Sequence, residues 1–178
     1  AWETQNQGIR VDVYIFGGNR SAGILDISSK NKYGISKLSV YPELCKLYAG
    51  YININKLRFI NLRRTRKALI FDYAIMLYLF IKTLFSNYDK LHITWPLQER
   101  TERLLYKLPI KKIWTVHDPI PHSSQEKQEE TRKYAFLHCK NYIMLSDALM
   151  EAFMERYGID SSQIHLNCMG EFDYLRYI

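Results

Sequence analysis

From residue 57 onward, short runs of β-branched, aromatic and aliphatic residues alternate with longer segments of helical pattern. No other property of the chain restricts its fold as much. Leu57–Leu62, Lys90–Trp95, Lys112–His117, Asn141–Leu145 and Ile164–Cys168 are apolar without a strict polar face, and Ile9–Phe16 is of similar character. Continuous apolarity is expected of strands covered on both faces. Between them, Leu97–Lys107, Ser124–Cys139 and Asp147–Tyr157 read as helices. Ser123 and Glu126 stand at capping-box spacing, Ser146 at an N-cap position, and Gly158 where the last helix should stop. Leu149, Phe153 and Tyr157 form that helix's apolar stripe. Strand and helix in alternation predict βαβ units, hence an α/β chain with a Rossmann-like parallel sheet flanked by helices.

At 178 residues the chain corresponds to about one domain of ~150 residues. With 47% hydrophobic and 24% charged residues it is globular in composition. The reading is therefore one domain over residues 1–178, less regular over 17–56, where only Pro42–Ala49 suggests a short helix. The stretch Ala68–Phe85 is the most apolar, but Asp72 and Lys82 interrupt it and leave nine uninterrupted apolar residues, Tyr73–Ile81. A bilayer needs ~20, so a helix buried on most of its faces is expected. Cys45, Cys139 and Cys168 are too scattered for a disulfide scaffold or zinc ribbon and read as reduced thiols, which suits a cytoplasmic protein. Ala1–Gln7 reads as the tail of a helix ended by Gly8, so a preceding segment is expected.

In an open parallel sheet, ligands bind beyond the carboxyl ends of the strands. Those ends deliver Trp95-Pro96, Thr115–His122, Ser146 and Asn167–Glu171. The segment His117-Asp118-Pro119-Ile120-Pro121-His122 carries the most chemistry. A neutral imidazole both donates and accepts hydrogen bonds and moves protons near neutral pH. Two prolines stiffen the loop, and a rigid turn with one satisfied histidine is the plainer reading of the same residues. Zinc held by His117, Asp118 and His122 matches no strong zinc spacing, so no metal is expected. No G-x-S-x-G elbow surrounds Ser146, and Gly17-Gly18 fits no phosphate-binding spacing.

The formal charge is +7, from 25 Lys+Arg against 18 Asp+Glu, which suits an anionic partner. Arg58, Arg63, Arg64, Arg66 and Lys67 are interleaved with apolar residues, a pattern that can rest on anionic lipid headgroups. No RNA- or DNA-binding module surrounds them, so nucleic acid is not expected as a partner.

The run Trp114–Ser123, the strand end and helix start Tyr142–Leu149, the turn Tyr157-Gly158-Ile159 and the segment Ile164–Asp173 occur in an order that resembles glycosyltransferase family four. The resemblance is to the N-terminal, acceptor-side domain of the GT-B architecture. It covers residues 88–175, is weak over 17–60, and places Ala1–Phe16 at the family's first helix and second strand. The resemblance implies a retaining hexosyltransferase that takes a nucleotide-sugar donor and needs no cofactor. It implies a glycan or lipid-linked acceptor in bacterial surface polysaccharide synthesis at the inner face of the membrane. By the same resemblance, His117 is the catalytic position that hydrogen-bonds a sugar hydroxyl, and Asp118, His122, Ser146, Gly170 and Glu171 line the substrate. The family's first strand with its glycine-rich turn has no counterpart here, nor does its second, nucleotide-sugar-binding domain. Residues 1–178 alone are accordingly expected to be inactive. The alternative is a non-catalytic Rossmann-like module that binds a sugar, a phosphate or a partner.

Overall fold

A computed structural model describes residues 12–17, 33–37, 57–63, 65–97, 99–117 and 126–167. The chain is α/β and divides into two units, residues 1–75 and 76–178.

In the first unit, β1 (Val13–Gly17) pairs parallel with β3 (Leu57–Asn61), and β2 (Gly34–Lys37) pairs antiparallel with the other edge of β3. β3 is central, and its consecutive residues Phe59 and Ile60, which point to opposite faces, are both buried. β2 falls in the region that the sequence leaves irregular. It begins at Gly34, whose φ of 106° favours glycine. The segment Pro42–Ala49 lies outside the described residues. The sequence reading treats Leu57–Leu62 as the start of the parallel run, whereas β3 pairs with β1 and β2 in a sheet separate from the later strands.

The second unit holds the predicted all-parallel sheet. Its strands are β4 (Lys90–Ile93), β5 (Lys111–Val116), β6 (Asn141–Met144) and β7 (Ile164–Leu166), adjacent in chain order. Parallel crossovers are right-handed, so sequential strand order places successive connections on one face. The aromatic packing agrees. Trp114 of β5 and Tyr142 of β6 share that face with Phe136 of one helix (Glu126–His138) and Phe153 of another (Met150–Tyr157). Ring centroids lie 4.9 Å apart for Trp114–Phe136 and 5.9 Å for both Phe136–Phe153 and Tyr142–Phe153. Burial pushes the Tyr142 hydroxyl up to about 12, where it stays protonated and donates to the Cys139 carbonyl at 2.6 Å. Burial also pushes the Cys139 thiol up to about 12, so it packs as an inert small hydrophobe.

Three helices depart from expectation. The segment expected to be helical over Leu97–Lys107 forms only a 3₁₀ turn, Glu102–Lys107. It ends at Lys107, as expected, because Pro109 forces the preceding Leu108 out of the α region, to ψ 137°; what is missing is the first part of the expected helix, before Glu102. The last helix begins at Met150, after Leu149, rather than from a cap at Ser146. Ser146 Oγ instead accepts from the Ala148 backbone N–H at 3.2 Å, closing a local turn, and Leu149 is exposed. Gly158 ends this helix as expected, in the left-handed region at φ 62°.

The long apolar helix, Leu69–Leu84, is not buried on most of its faces. Asp72, Met76 and Leu79 form a narrow buried stripe at i, i+4 and i+7. Ile70 and Phe71 are 80% and 63% exposed, and Leu77, Tyr78 and Ile81 are also exposed. Apolar content measures how much surface a helix can bury, not how much its neighbours cover. Asp72 is buried with partners: its Oδ1 accepts from the Tyr33 hydroxyl at 3.0 Å and from the Arg63 backbone N–H at 3.2 Å. Among the described residues, no helix is long and apolar enough to cross a membrane.

Candidate functional site

The parallel register of the second unit aligns its strand ends. Val116, Met144 and Leu166 are the last paired row of β5, β6 and β7. His117, Ser146 and Asn167 follow within two residues of that row, and all three are exposed. Asn167 is tied to the edge by its backbone N–H, which donates to the Met144 carbonyl at 2.8 Å. On β4, Ile93 is level with Trp114, so Trp95, two residues on, comes level with Val116 and next to His117. The indole and imidazole stack there, with centroids 4.7 Å apart and planes within 6°.

A second pair lies directly behind this stack. His92 is in register with Ile113, and strand alternation puts it on the sheet face that also carries Thr115. His92 Nε2 and Thr115 Oγ1 are 2.6 Å apart, a short hydrogen bond whose direction follows the imidazole tautomer. The Thr115 side of the pair is buried, while His92 keeps solvent access. Partial loss of water around the His92 ring, reinforced by repulsion from His117, holds its pKa below the ordinary histidine value. His92 is thereby favoured as a neutral ring, able to hold Thr115 in one rotamer beneath His117.

The carboxyl edge of β4 and β5 thus presents the His117 imidazole and the Trp95 indole, with the His92 imidazole partly accessible behind them and held by the buried Thr115 hydroxyl. These groups exchange hydrogen bonds with alcohols in either sense and offer a flat apolar surface. Among the described residues, no group of three or more His, Cys, Asp or Glu side chains is placed to hold a metal ion.

The structure brings His117 to the strand edge and places Ser146 two residues beyond the neighbouring strand. Asp118, His122, Gly170 and Glu171 lie outside the described residues. His92 is not among the residues the sequence singles out, and Trp95 enters there only as a strand-end residue. The run Lys90-Leu91-His92-Ile93-Thr94-Trp95, expected to lack a strict polar face, does alternate: its even positions are polar and lie on the face that also bears Thr115, and that alternation carried the signal.

In the first unit, the basic residues divide. Arg58 is half-buried within β3. Arg63 is exposed, with its guanidinium 4.8 Å from the centre of the Tyr33 ring. Arg66 and Lys67 are exposed in the 3₁₀ turn Arg66–Ala68, which Thr65 caps by accepting from the Ala68 backbone N–H at 3.3 Å. Arg64 lies outside the described residues. Exposed Leu69, Ile70 and Phe71 follow this turn directly, so cationic and apolar surface are contiguous along the chain.

Compared with known proteins, the chain matches no family model and no curated sequence.

Proposed function

We propose that the chain is the acceptor-side part of a GT-B glycosyltransferase, a retaining hexosyltransferase that moves a sugar from a nucleotide-sugar donor to a glycan or lipid-linked acceptor in bacterial surface polysaccharide synthesis. The observation that carries this reading is the position of His117: exposed, one residue past the end of a parallel strand, stacked on Trp95 and backed by the His92–Thr115 pair. That is where an open α/β sheet presents ligand-binding groups. His117 bonds a hydroxyl of the reacting sugar and holds it in register. Asp118, His122, Ser146, Gly170 and Glu171 contribute to the same acceptor surface on this reading.

Such a transfer gains most from fixing two substrates relative to each other in a site that excludes water. On this reading the donor nucleotide-sugar is gripped mainly by the second domain of the GT-B architecture. Arg63, Arg66 and Lys67, with Ile70 and Phe71 beside them, rest the protein on the anionic inner face of the membrane, where a lipid-linked acceptor is presented.

The test is an assay of the product of the complete open reading frame for transfer from nucleoside diphosphate sugars to a lipid-linked or oligosaccharide acceptor. Transfer that depends on His117 supports the reading. Absence of transfer from every donor tried, with the product folded, removes it.

A further inference from the structure

The outward side of the long helix, Leu69–Leu84, is a continuous apolar face. At ~100° per residue, Ile70, Ala74, Leu77 and Ile81 lie opposite the buried stripe of Asp72, Met76 and Leu79, and all four are exposed. Phe71 and Tyr78 flank this line on one side and Tyr73 on the other, and these three are exposed too. Phe85 continues the face past the helix end. Its backbone N–H still donates to the Ile81 carbonyl at 3.1 Å, and it is 78% exposed. The face runs about 24 Å along the axis and covers an arc of about 160°. A helix side left in water ordinarily carries polar and charged residues, whereas a contiguous apolar one marks an interaction surface.

The charges around the face select its occupant. Arg66 and Lys67 are exposed in the turn that leads into it, and Arg63 is exposed just upstream. From Arg63 to Phe85 the sequence holds five cationic residues and one acidic residue, Asp72, which is buried and accepts from Tyr33 and from the Arg63 backbone. A second copy packed helix against helix would bring like charges together. A parallel pair sets Arg66 and Lys67 beside their own equivalents, and an antiparallel pair sets them beside Lys82. A helix–helix seam also needs only a narrow stripe, and this arc is wide. An anionic bilayer meets both properties, with phosphate headgroups for the cations and acyl chains for the broad apolar side. Tyr73 and Tyr78, apolar rings with a hydroxyl tip, stand at the flanks, where such rings sit at headgroup level.

We propose that Leu69–Phe85 is an in-plane membrane anchor: the helix lies parallel to an anionic bilayer, with Ile70, Leu77, Ile81 and Phe85 sunk ~5–10 Å into the boundary between headgroups and acyl chains. Charge alone would use only the basic end of the helix, whereas insertion uses its length. The anchor rests on the transferase reading for its purpose, which is to hold the chain where a lipid-linked acceptor lies, and not for its chemistry.

The experiment compares the 178-residue chain with two variants on vesicles of phosphatidylglycerol mixed with phosphatidylcholine. Leu77→Trp puts a reporter on the face, and Leu77→Ser with Ile81→Ser makes the face polar. Both positions are exposed, so unfolding midpoints should stay within the range of surface substitutions. Vesicles should move the emission that Leu77→Trp adds over wild type to shorter wavelength, and bromines on the acyl chains should quench it. The double-serine variant should bind about tenfold or more weakly. Wild type should keep part of its binding at about 1 M salt, where a Debye length of ~3 Å screens the headgroup attraction. Absence of vesicle binding overturns the anchor. Binding that vanishes in salt and shows no acyl-chain quenching also overturns it, because the contact is then with headgroups alone. A concentration-dependent dimer that the serine substitutions dissociate, without vesicle binding, overturns it in favour of a second copy.

The anchor and the transferase reading fail separately. Acyl-chain quenching, in a protein whose complete open reading frame transfers no sugar, leaves the anchor and removes the transferase. Transfer that depends on His117, by a product that binds no vesicles, does the reverse.

Discussion

Trp95 and His117, at the ends of different strands, lie ring on ring, 4.7 Å apart and within 6° of parallel. The β4–β5 register produces this contact, because the pair Ile93–Trp114 brings Trp95, two residues past the end of β4, level with Val116 and so beside His117. A one-residue slip of either strand would flip every side chain on it to the other face and separate the rings. The stack is therefore a consequence of the sheet.

Behind the stack, the partial desolvation of His92, with repulsion from His117, makes stability depend on pH. The folded chain binds a proton at His92 only below the ordinary histidine value of 6.5, whereas the unfolded chain binds it near that value. Between the two values the unfolded state holds more protons, so this contribution is complete above 6.5 and is lost as pH falls towards the lowered folded pKa. Urea unfolding at about pH 7.5 and about pH 5.5 should show wild type losing more stability on acidification than His92→Gln, which keeps a partner for Thr115 but does not titrate. Equal losses would separate His92 from the effect.

The aromatic layer between sheet and helices carries much of the second unit's stability. Phe153 is fully buried and its ring meets those of Phe136, Tyr142 and Tyr157. Phe153→Ala should cost about 3–5 kcal/mol through lost transfer energy and a residual cavity. Denaturant unfolding measures it, and a loss under about 1 kcal/mol would show that the layer is not packed as described.

Gly158 ends the last helix at φ 62°, and a Cβ there would meet no atom within 4 Å. The cost of Gly158→Ala is therefore backbone strain alone, about 1–2 kcal/mol. Its thermal midpoint should fall without a change in binding at the β4–β5 edge. An unchanged midpoint would mean that residue 158 does not hold the left-handed conformation.

Contact with lipid should be electrostatic as well as apolar. Arg66 and Lys67 precede the exposed Ile70 and Phe71, so the chain should co-sediment with vesicles rich in phosphatidylglycerol and much less with phosphatidylcholine alone. Reversing both charges, Arg66→Glu with Lys67→Glu, should weaken binding about tenfold or more at low salt, at ~1 kcal/mol per cation near the surface. Binding indifferent to both lipid charge and these substitutions would remove the membrane from the account.

The parallel sheet was legible in the sequence because its strands are short β-branched and aromatic runs separated by turn formers. Lys111–Val116 and Asn141–Met144 fall within a residue of where those runs predict them. What escaped was decided by tertiary context. Gly34–Lys37 is too short and too polar to announce itself and exists through pairing with β3. The exposed flank of Leu69–Leu84 has the composition of buried surface, and composition does not reveal which neighbours are present. Ser146 has the right chemistry for a cap but spends its oxygen on a turn, while Asp160 and Gln163 form a capping box before β7; the expected box of Ser123 with Glu126 lies outside the described side chains. In the candidate site, His117 was legible from the rule that ligands meet strand ends. The His92–Thr115 bond and the Trp95 stack depend on register, which the sequence does not state.

The most direct measurement is turnover of sugar transfer by the product of the complete open reading frame, wild type against His117→Ala, with unfolding midpoints recorded alongside. His117 is exposed at its strand end, so the variant should keep its midpoint within the small range of surface substitutions. Its turnover should fall by about tenfold to several thousandfold, as loss of a group that holds the reacting sugar requires. Wild-type turnover in the folded variant would contradict the assignment of this edge as the site of transfer.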